Sequence, residues 1–211
     1  MLKNIIITSV LSALLIGVYA QDNQSEFKTI FPKNDGKKVD HGGYGSIGFG
    51  YTTIDSKSAL LLNVKGAWVI DHKVAIGFSG TGFMNNLEKT TQTKEYYLGG
   101  GYGGFFFEPI FFARSPIHFS APILVGGGGV STMPQNYWDD NYWDYQDYDA
   151  FFVFEPGVEL EVSVVSFMRV GLGASYRFTN GILINPPLNN PVALNALDGY
   201  NFFLNLKFGK F

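Results

Sequence analysis

Cysteine is absent from this 211-residue chain. Its absence excludes disulfides, thiolate metal ligands, a cysteine nucleophile and a lipidated N-terminal cysteine. Charged residues are scarce at 16%, and a net charge of -3 without any basic cluster gives no electrostatic case for nucleic acid as a partner. Beyond residue 20 no apolar run is long enough to span a membrane as a helix. If the chain enters a membrane, it must do so as a closed barrel of strands.

Glycine and aromatic residues are abundant instead, with 26 glycines and 17% aromatics, in a length that suits one all-β domain. Residues 1–20 read as an export signal, with Lys3 before an apolar core and small residues at the cleavage site that ends at Ala20. The alternative is a membrane anchor, but the core is shorter than the ~20 residues that a spanning helix needs. Residues 21–41 are polar and are expected to form a flexible N-terminal segment.

Residues 151–178 alternate strictly between apolar and polar or small side chains, with a short turn near the middle. A period of two is typical of strands, and two adjacent runs predict an antiparallel hairpin. One face is wholly apolar, whereas the other carries Glu155, Glu159, Glu161, Arg169 and Arg177. Either a soluble sandwich or a barrel with lipid outside and a polar lumen could produce this pattern.

The same alternation recurs from Gly42 to the end and predicts eight strands. Short turns are expected at 71–73, 113–115 and 164–166, and long connections at 85–94, 131–149 and 179–198. Alternate connections lie at the same end of an up-and-down barrel. One end therefore has short turns and the other has long loops, as in outer-membrane barrels. We therefore predict an all-β fold, an eight-stranded antiparallel up-and-down transmembrane β-barrel over residues 42–211. The alternative is a secreted soluble β-sandwich or lipocalin-like barrel, with an apolar interior and a charged exterior.

Three stretches carry a resemblance to a known family: GAWVIDHKVAIGFSGTGF, the 151–178 segment and the ending LKFGKF. They resemble the small, mostly uncharacterised outer-membrane β-barrel proteins of the Bacteroidetes type, similar in architecture to the OmpA membrane domain and OmpX. The resemblance implies outer-membrane lipid as surroundings and recognition by the barrel-assembly machinery through the terminal Phe211. Phe211 is out of step with Phe208 unless Gly209 carries a bulge. The resemblance implies no catalytic residues and no cofactor.

The inward faces are expected to hold a balanced set of charged side chains. Its members are Lys65, Glu108, His118, Glu155, Glu159, Glu161, Arg169, Arg177 and Lys207. Because eight strands enclose a space that side chains fill, we predict an ion-pair network that plugs the lumen, the alternative being a proton or ion path. Turn positions place Glu161 opposite Arg169, Glu155 near Ser175, and Tyr102 opposite Gly126.

A catalytic alternative uses His118 and Ser120, which share a face, with Glu108 diagonal to them across a hairpin. A barrel lipid-A deacylase resembles this in having a His-x-Ser pair, but here the pair points inward near the end with the short turns. A lumenal histidine hydrogen-bonded to Glu108 is therefore the favoured interpretation. The glycine runs GGGYGG and GGGG lack the Lys-Ser/Thr of a phosphate loop.

The connection 131–149 interleaves acidic and aromatic residues, and is the candidate external binding loop. Its candidate residues are Tyr137, Trp138, Asp139, Asp140, Trp143, Asp144, Asp147 and Asp149. Carboxylates suit calcium, and exposed aromatic rings suit a glycan or a protein surface. The EF-hand pattern is missing, so no metal site is predicted. The alternative is a solvated acidic loop with aromatic residues in the membrane interface.

Overall fold

The computed structural model describes residues 39–91, 94–134, 147–184 and 192–211, with side chains described for 39–85, 98–132, 147–184 and 192–211. The predicted signal and most of the N-terminal segment lie outside this part. The strands are β1 (His41–Ile54), β2 (Lys57–Ile70), β3 (Val74–Thr91), β4 (Lys94–Phe111), β5 (Ile117–Ser120), β6 (Ile123–Pro134), β7 (Tyr148–Val165), β8 (Met168–Thr179) and β9 (Gly199–Lys210). The described residues contain no helix long and apolar enough to cross a membrane.

The strands close into a ring in which every neighbouring pair is antiparallel. Strands β5 and β6 together fill one position, because both pair with β4 on one side and β7 on the other. Between them lies Pro122, which has no N–H to donate to a ladder. Pairing of β1 with β9 completes the ring. The predicted eight-stranded antiparallel barrel is confirmed.

Apolar side chains cover the outside of the barrel. Those exposed over the strands include Ile47, Phe49, Leu60, Leu62, Val64, Phe78, Phe105, Val125, Phe152, Val158, Leu172, Phe202 and Leu204. Charged and amide side chains on the alternate positions are buried inside, among them Glu108, Glu161, Lys207 and Asn205. Alternation along each strand sorts the two sets, since successive side chains point to opposite faces. The barrel is therefore apolar outside and holds charged and amide side chains inside, the reverse of the distribution in a soluble barrel.

The connections differ between the two ends. The turns at 71–73, 112–116 and 166–167 lie with the chain termini of the barrel at one end, called the turn end. The other, called the loop end, has the connections after β1, β3, β6 and β8. The predicted loop at 85–94 is wrong, because β3 continues through Thr91 and pairs with β4 from Lys94. The β3–β4 hairpin extends beyond the end of the shorter β2. Beyond the barrel wall, neither face of the hairpin needs apolar side chains.

Part of the connection after β8 fills the barrel rather than lying outside it. Its residues Ile182, Ile184, Val192, Ala196 and Leu197 are at most 5% exposed. They pack with inward residues of the strands, including Ile54, Leu61, Leu98 and Val153, and we call this cluster the apolar plug. The backbone N–H of Leu183 donates to Asp149 at 2.7 Å, and Arg177 Nε donates to Leu197 O at 2.6 Å. The long connection predicted at 179–198 is therefore not only an external loop, because these residues of it pack inside the barrel.

The close approach of β2 to β3 requires a glycine at position 77. A Cβ there would lie 2.0 Å from Gly66 O and 2.8 Å from Ala67 Cα. We expect Gly77→Ala to lower the free energy of unfolding by about 1–3 kcal/mol, because the neighbouring backbone must shift. Urea titration of the folded protein in detergent measures this change. Gly82→Ala on the same strand is the matched control, since nothing lies within 4 Å of its added Cβ; equal losses in the two variants would contradict the steric explanation.

Candidate functional site

The ammonium group of Lys207 lies at the centre of the polar interior. Lys207 Nζ donates to Glu108 Oε1 at 2.7 Å and to Glu161 Oε1 at 2.8 Å. It also lies 3.3 Å from Glu159 Oε2. These four side chains are at most 1% exposed. Strands β4, β7 and β9 thus direct three carboxylates onto one cation, and we call these four residues the charge cluster.

The three carboxylates of the charge cluster are close enough to ligate a metal ion. Among the described residues they form a group whose ligand oxygens lie within 4.8 Å of one another. However, the Lys207 ammonium hydrogen-bonds two of these carboxylates and contacts the third. A lysine cation in that position serves the electrostatic role that a metal would otherwise serve. The geometry therefore indicates a protein-supplied counterion rather than a metal site.

Two further cations balance the charge cluster. Arg169 Nη1 lies 3.7 Å from Glu161 Oε2, and Lys65 Nζ lies 3.9 Å from Glu159 Oε2. Tyr44 adds a hydrogen bond from its hydroxyl to Glu108 Oε2. Three carboxylates thus face three cations around the charge cluster. A buried charge is costly unless it is paired and hydrogen-bonded, so this balance is what permits so many charges inside one barrel.

The predicted pairing of Glu161 directly opposite Arg169 is wrong in register. Glu161 pairs with Gly171, and Arg169 pairs with Ser163, because the turn falls at 166–167 and a bulge separates Ser163 from Val165. The error is two residues, so both side chains still face inward, and they meet diagonally rather than side by side. The predicted inward set is otherwise found inside: all members are buried except Lys65, whose side chain is 13% exposed.

The turn-end mouth is closed by Phe211. Gly209 stays in register with Tyr44, so no bulge forms and Phe211 shares the inward face of Lys207. The Phe211 ring stacks on Tyr44 at 5.7 Å, and the Arg169 guanidinium lies 3.9 Å from the ring centroid. His72 Nδ1 lies 2.6 Å from Phe211 O. The Phe211 ring thus covers the charge cluster on the side of the turn end.

The candidate catalytic residues do not form a nucleophile and base. His118 Nε2 lies 3.0 Å from Glu161 Oε2, and Ser120 Oγ donates to Glu161 Oε1 at 2.9 Å. The expected partner Glu108 is therefore wrong; Glu108 contacts Tyr44 and Lys207 instead. Ser120 and His118 both contact the Glu161 carboxylate and do not hydrogen-bond each other. The histidine therefore does not activate the serine hydroxyl. Both side chains are 1% exposed inside the barrel, away from the lipid-facing surface.

Glu155 and Arg177 lie apart from the charge cluster, nearer the loop end. Glu155 Oε1 accepts from Ser175 Oγ at 2.5 Å, as the sequence suggested, and from Asn201 Nδ2 at 3.0 Å. Arg177 lies beneath the apolar plug, its guanidinium 5.4 Å from the Tyr102 ring centroid. Tyr102 pairs with Gly128 rather than Gly126, again a shift of two residues. The predicted single network is therefore divided into separate layers.

A small cavity separates these layers. It offers ≈ 40 Å³ to the centres of water molecules, room for about three waters at the ~10–15 Å³ that each needs. Its lining includes Asn63, Lys65, Glu155, Glu159 and Asn205. With the charge cluster on one side and the apolar plug on the other, this cavity has room for isolated waters only, within the part of the lumen that the structure describes. The polar lining also shows why Asn63 and Asn205 belong to the site.

Sequence reasoning missed several residues of this interior. Tyr44, Asn63, Asn201 and Asn205 are buried and face inward. Asn63 Nδ2 donates to Ser79 and Thr81, and Asn205 Nδ2 donates to Glu159 Oε1 at 3.0 Å. Strand parity already placed the asparagines on the polar face, so the signal was available. Tyr44 was hidden because an aromatic ring in this fold is expected outside.

Most of the candidate external binding loop lies outside the described residues: Tyr137, Trp138, Asp139, Asp140, Trp143 and Asp144. The predicted 131–149 connection is too long at both ends, because β6 continues to Pro134 and β7 begins at Tyr148. Two of the loop's carboxylates are described. Asp147 Oδ1 accepts from the backbone N–H of Tyr148 at 3.0 Å. Asp149 accepts from the backbone N–H groups of Ala150 and Leu183 at 2.8 and 2.7 Å. These two carboxylates are engaged in fixing the loop-end backbone.

Comparison with known proteins finds likeness in structure alone. No protein-family model and no curated protein match the sequence. The crystal structure of Neisserial surface protein A aligns with a TM-score of 0.50 at 8% identity, covering 82% of this chain and 99% of that chain. The attachment invasion locus protein Ail of Yersinia pestis, in complex with the heparin analogue sucrose octasulfate, aligns with a TM-score of 0.49 at 9% identity, covering 80% and 97%. At such low identity, the likeness to the Neisserial protein supports the barrel fold alone.

Proposed function

We propose that this protein is a non-enzymatic outer-membrane barrel with a filled lumen, acting structurally or through surface contacts made by its loop-end connections. The observation that carries the proposal is the apolar exterior around a polar interior. Phe49, Leu62 and Leu172 are 58%, 52% and 63% exposed on the outside. In water this surface would be an aggregation hazard, whereas in lipid it is the expected lining. The soluble lipocalin-like alternative requires the opposite distribution.

Aromatic side chains support the membrane proposal at both ends of the apolar belt. Trp68 and Phe167 are exposed near the turn end, and Tyr51, Tyr148 and Tyr200 are exposed near the loop end. The amphipathic rings of tryptophan and tyrosine favour the boundary between hydrocarbon and headgroups. The export signal proposed for residues 1–20 and the short turns at one end favour an outer-membrane barrel with its turn end facing the periplasm. Membership of the Bacteroidetes-type group stays a prediction.

Fractionation of cells producing the full chain tests the membrane proposal. We expect the mature protein in the detergent-soluble envelope fraction, with gel mobility that changes on boiling because the folded barrel resists detergent. In planar bilayers we expect no stable conductance, since the charge cluster and the apolar plug fill the part of the lumen that the structure describes. Recovery from the periplasm without detergent would overturn the membrane location, and ohmic conductance steps would overturn the filled lumen.

Substitution of Ser120 tests the enzymatic alternative. We expect Ser120→Ala to leave the lipid A of the producing strain unchanged, because Ser120 hydrogen-bonds Glu161 within the lumen and is 1% exposed. Mass spectrometry of extracted lipid A, compared with an empty-vector strain, measures this. A modification present with the wild-type chain and absent with Ser120→Ala would make the protein a lipid-modifying enzyme. Ser58→Ala, an exposed strand serine, is the matched control.

The surface role is proposed for the connection between β6 and β7, within the predicted segment 131–149, with calcium, a glycan or a protein as the candidate ligand. Its support is compositional: carboxylates and aromatic rings interleave there. Recognition of Phe211 by the barrel-assembly machinery is likewise proposed. That step would have to precede folding, because the Phe211 ring is packed against Tyr44 and Arg169 in the closed barrel.

A further inference from the structure

A groove lies at the turn end between two connections. It is bounded by the turn Asp71, His72 and Lys73 on one side and by residues 110–115 on the other, and its volume is ≈ 520 Å³. The groove opens at the edge of the apolar belt, where β4 gives way to the connection leading to β5. The position is where the hydrocarbon of a surrounding membrane would end and the headgroups would begin.

One wall of the groove is aromatic and unusually exposed. Phe111 is 51% exposed and Phe112 is 75% exposed. Phe112 has a φ of 57°, in the left-handed region that a bulky residue rarely adopts. Local strain of this kind persists only where the surrounding structure imposes it, and it is found at ligand-binding segments. Ile117, 58% exposed, extends the apolar surface along the next strand.

The other feature of the groove is an excess of cations over carboxylates. Lys73 Nζ pairs with Asp71 Oδ2 at 2.5 Å, and this hydrogen bond lowers the pKa of Asp71, which keeps it ionised. These two charges cancel. Within the described residues Arg114 makes no ion pair, although its charge also helps to lower the pKa of Asp71. One carboxylate thus faces two cations, and the groove carries one surplus positive charge beside the exposed phenylalanine rings. His72 is not counted in this sum of charges, because its ring contacts Phe211 O and lies 3.3 Å from Asp40.

We propose that this groove binds the headgroup of an anionic phospholipid in the leaflet at the turn end. The planar guanidinium of Arg114 would hold the phosphate with paired hydrogen bonds, which lysine cannot match in geometry. The acyl chains would lie along Phe111, Phe112 and Ile117. Continuity with the apolar belt favours a lipid over a soluble phosphate or a peptide. The inference rests on the membrane insertion proposed above and goes beyond it by naming a specific lipid site.

The test titrates phosphatidylglycerol and phosphatidylcholine into the folded protein in zwitterionic detergent and measures retained lipid by native mass spectrometry. We expect phosphatidylglycerol to bind more tightly, and Arg114→Gln to weaken it by about tenfold, the value of one charge-assisted contact. Arg114→Lys is expected to recover part of the loss. Lys57→Gln, which removes a positive charge at the loop end, is the charge-matched control and should change little.

The outcomes separate the lipid site from the membrane proposal. Equal binding of both lipids by the wild type, or equal losses in Arg114→Gln and Lys57→Gln, would overturn the site while leaving insertion intact. Failure of the wild type to insert into vesicles of either lipid, judged by gel mobility, would overturn the membrane proposal itself. Phe112→Ser offers a second variant: a lower affinity for phosphatidylglycerol with unchanged folding supports the aromatic wall, and an unchanged affinity contradicts it.

Discussion

Lys207→Met is expected to lower the free energy of unfolding by about 3–5 kcal/mol, the cost of leaving a buried ion pair without one partner. The expectation follows from the position of Lys207 Nζ, which lies within 3.3 Å of three carboxylates. Methionine fills a similar volume but supplies no charge, so Glu108, Glu159 and Glu161 would repel one another in a space that admits little water. Urea titration in detergent, followed by gel mobility, measures the change.

Two further variants make this experiment specific. Lys210→Met removes a lysine three residues away whose side chain is 68% exposed and pairs with Asp40; we expect little change, because exposed ion pairs contribute little. Adding Glu108→Gln to Lys207→Met removes one of the uncompensated carboxylates and should recover part of the lost stability. Similar losses from Lys207→Met and Lys210→Met would show that the charge cluster does not hold the barrel together.

Glu161→Ala is expected to lower the free energy of unfolding by about 2–4 kcal/mol, somewhat less than Lys207→Met. Glu161 accepts hydrogen bonds from Ser120 and Lys207 and contacts His118, so its loss leaves several buried polar groups short of a partner. Lys207 retains Glu108 and Glu159, however, which limits the damage. The measurement is again unfolding in detergent.

Double-mutant cycles decide which partner of Glu161 matters. The coupling to Lys207, at 2.8 Å, should be about 1.5–3 kcal/mol. The coupling to Arg169, at 3.7 Å and diagonal across the hairpin, should be below about 1 kcal/mol. A stronger coupling to Arg169 than to Lys207 would restore the side-by-side pairing expected from sequence and contradict the register described above.

Strand faces could be predicted from sequence because alternation alone sets them. Glu161 and Arg169 were expected inside and Val162 outside, and the structure has Glu161 1% exposed and Val162 42% exposed. The distribution follows from physics, since a register slip of one residue would send every charge of the strand into the apolar belt. The same parity placed Lys207 inside, although its three carboxylate partners could not be read from sequence.

Register and turn length could not be predicted in the same way. Both errors in predicted strand pairing, Glu161 with Arg169 and Tyr102 with Gly126, are shifts of two residues. A shift of two leaves each side chain on the same face of its strand, so the hydrophobic pattern does not distinguish the two registers. One arises from the bulge between Ser163 and Val165, in a valine-rich stretch without a turn signal. The other arises from a connection that begins with Phe112 at a positive φ, which no propensity rule would assign to phenylalanine.

The predictions that failed at the loop end, the loop at 85–94 and the connection at 179–198, have a related cause. The sequence 85–94 is polar at every position except Leu87, so a pattern of alternation cannot identify strands there. The apolar plug was missed because Ile182, Ile184 and Leu197 are dispersed among loop residues without a strand or helix period. Sequence predicts where a side chain points once it belongs to a strand; it says less about which irregular segments return into the barrel.

The placement of the charge cluster has a consequence for the kinetics of folding. Lys207 contacts Glu108 and Glu161 across 99 and 46 residues of sequence, and Tyr44 contacts Glu108 across 64. The Lys207–Glu108 contact joins β9 to β4 across the lumen, and the Tyr44–Glu108 contact joins β1 to β4, so both need these strands to be arranged in the closed ring. Interactions formed after the transition state slow unfolding without speeding folding. If ring closure is late, the charge cluster acts on the lifetime of the folded barrel: Lys207→Met should accelerate unfolding while leaving the folding rate almost unchanged.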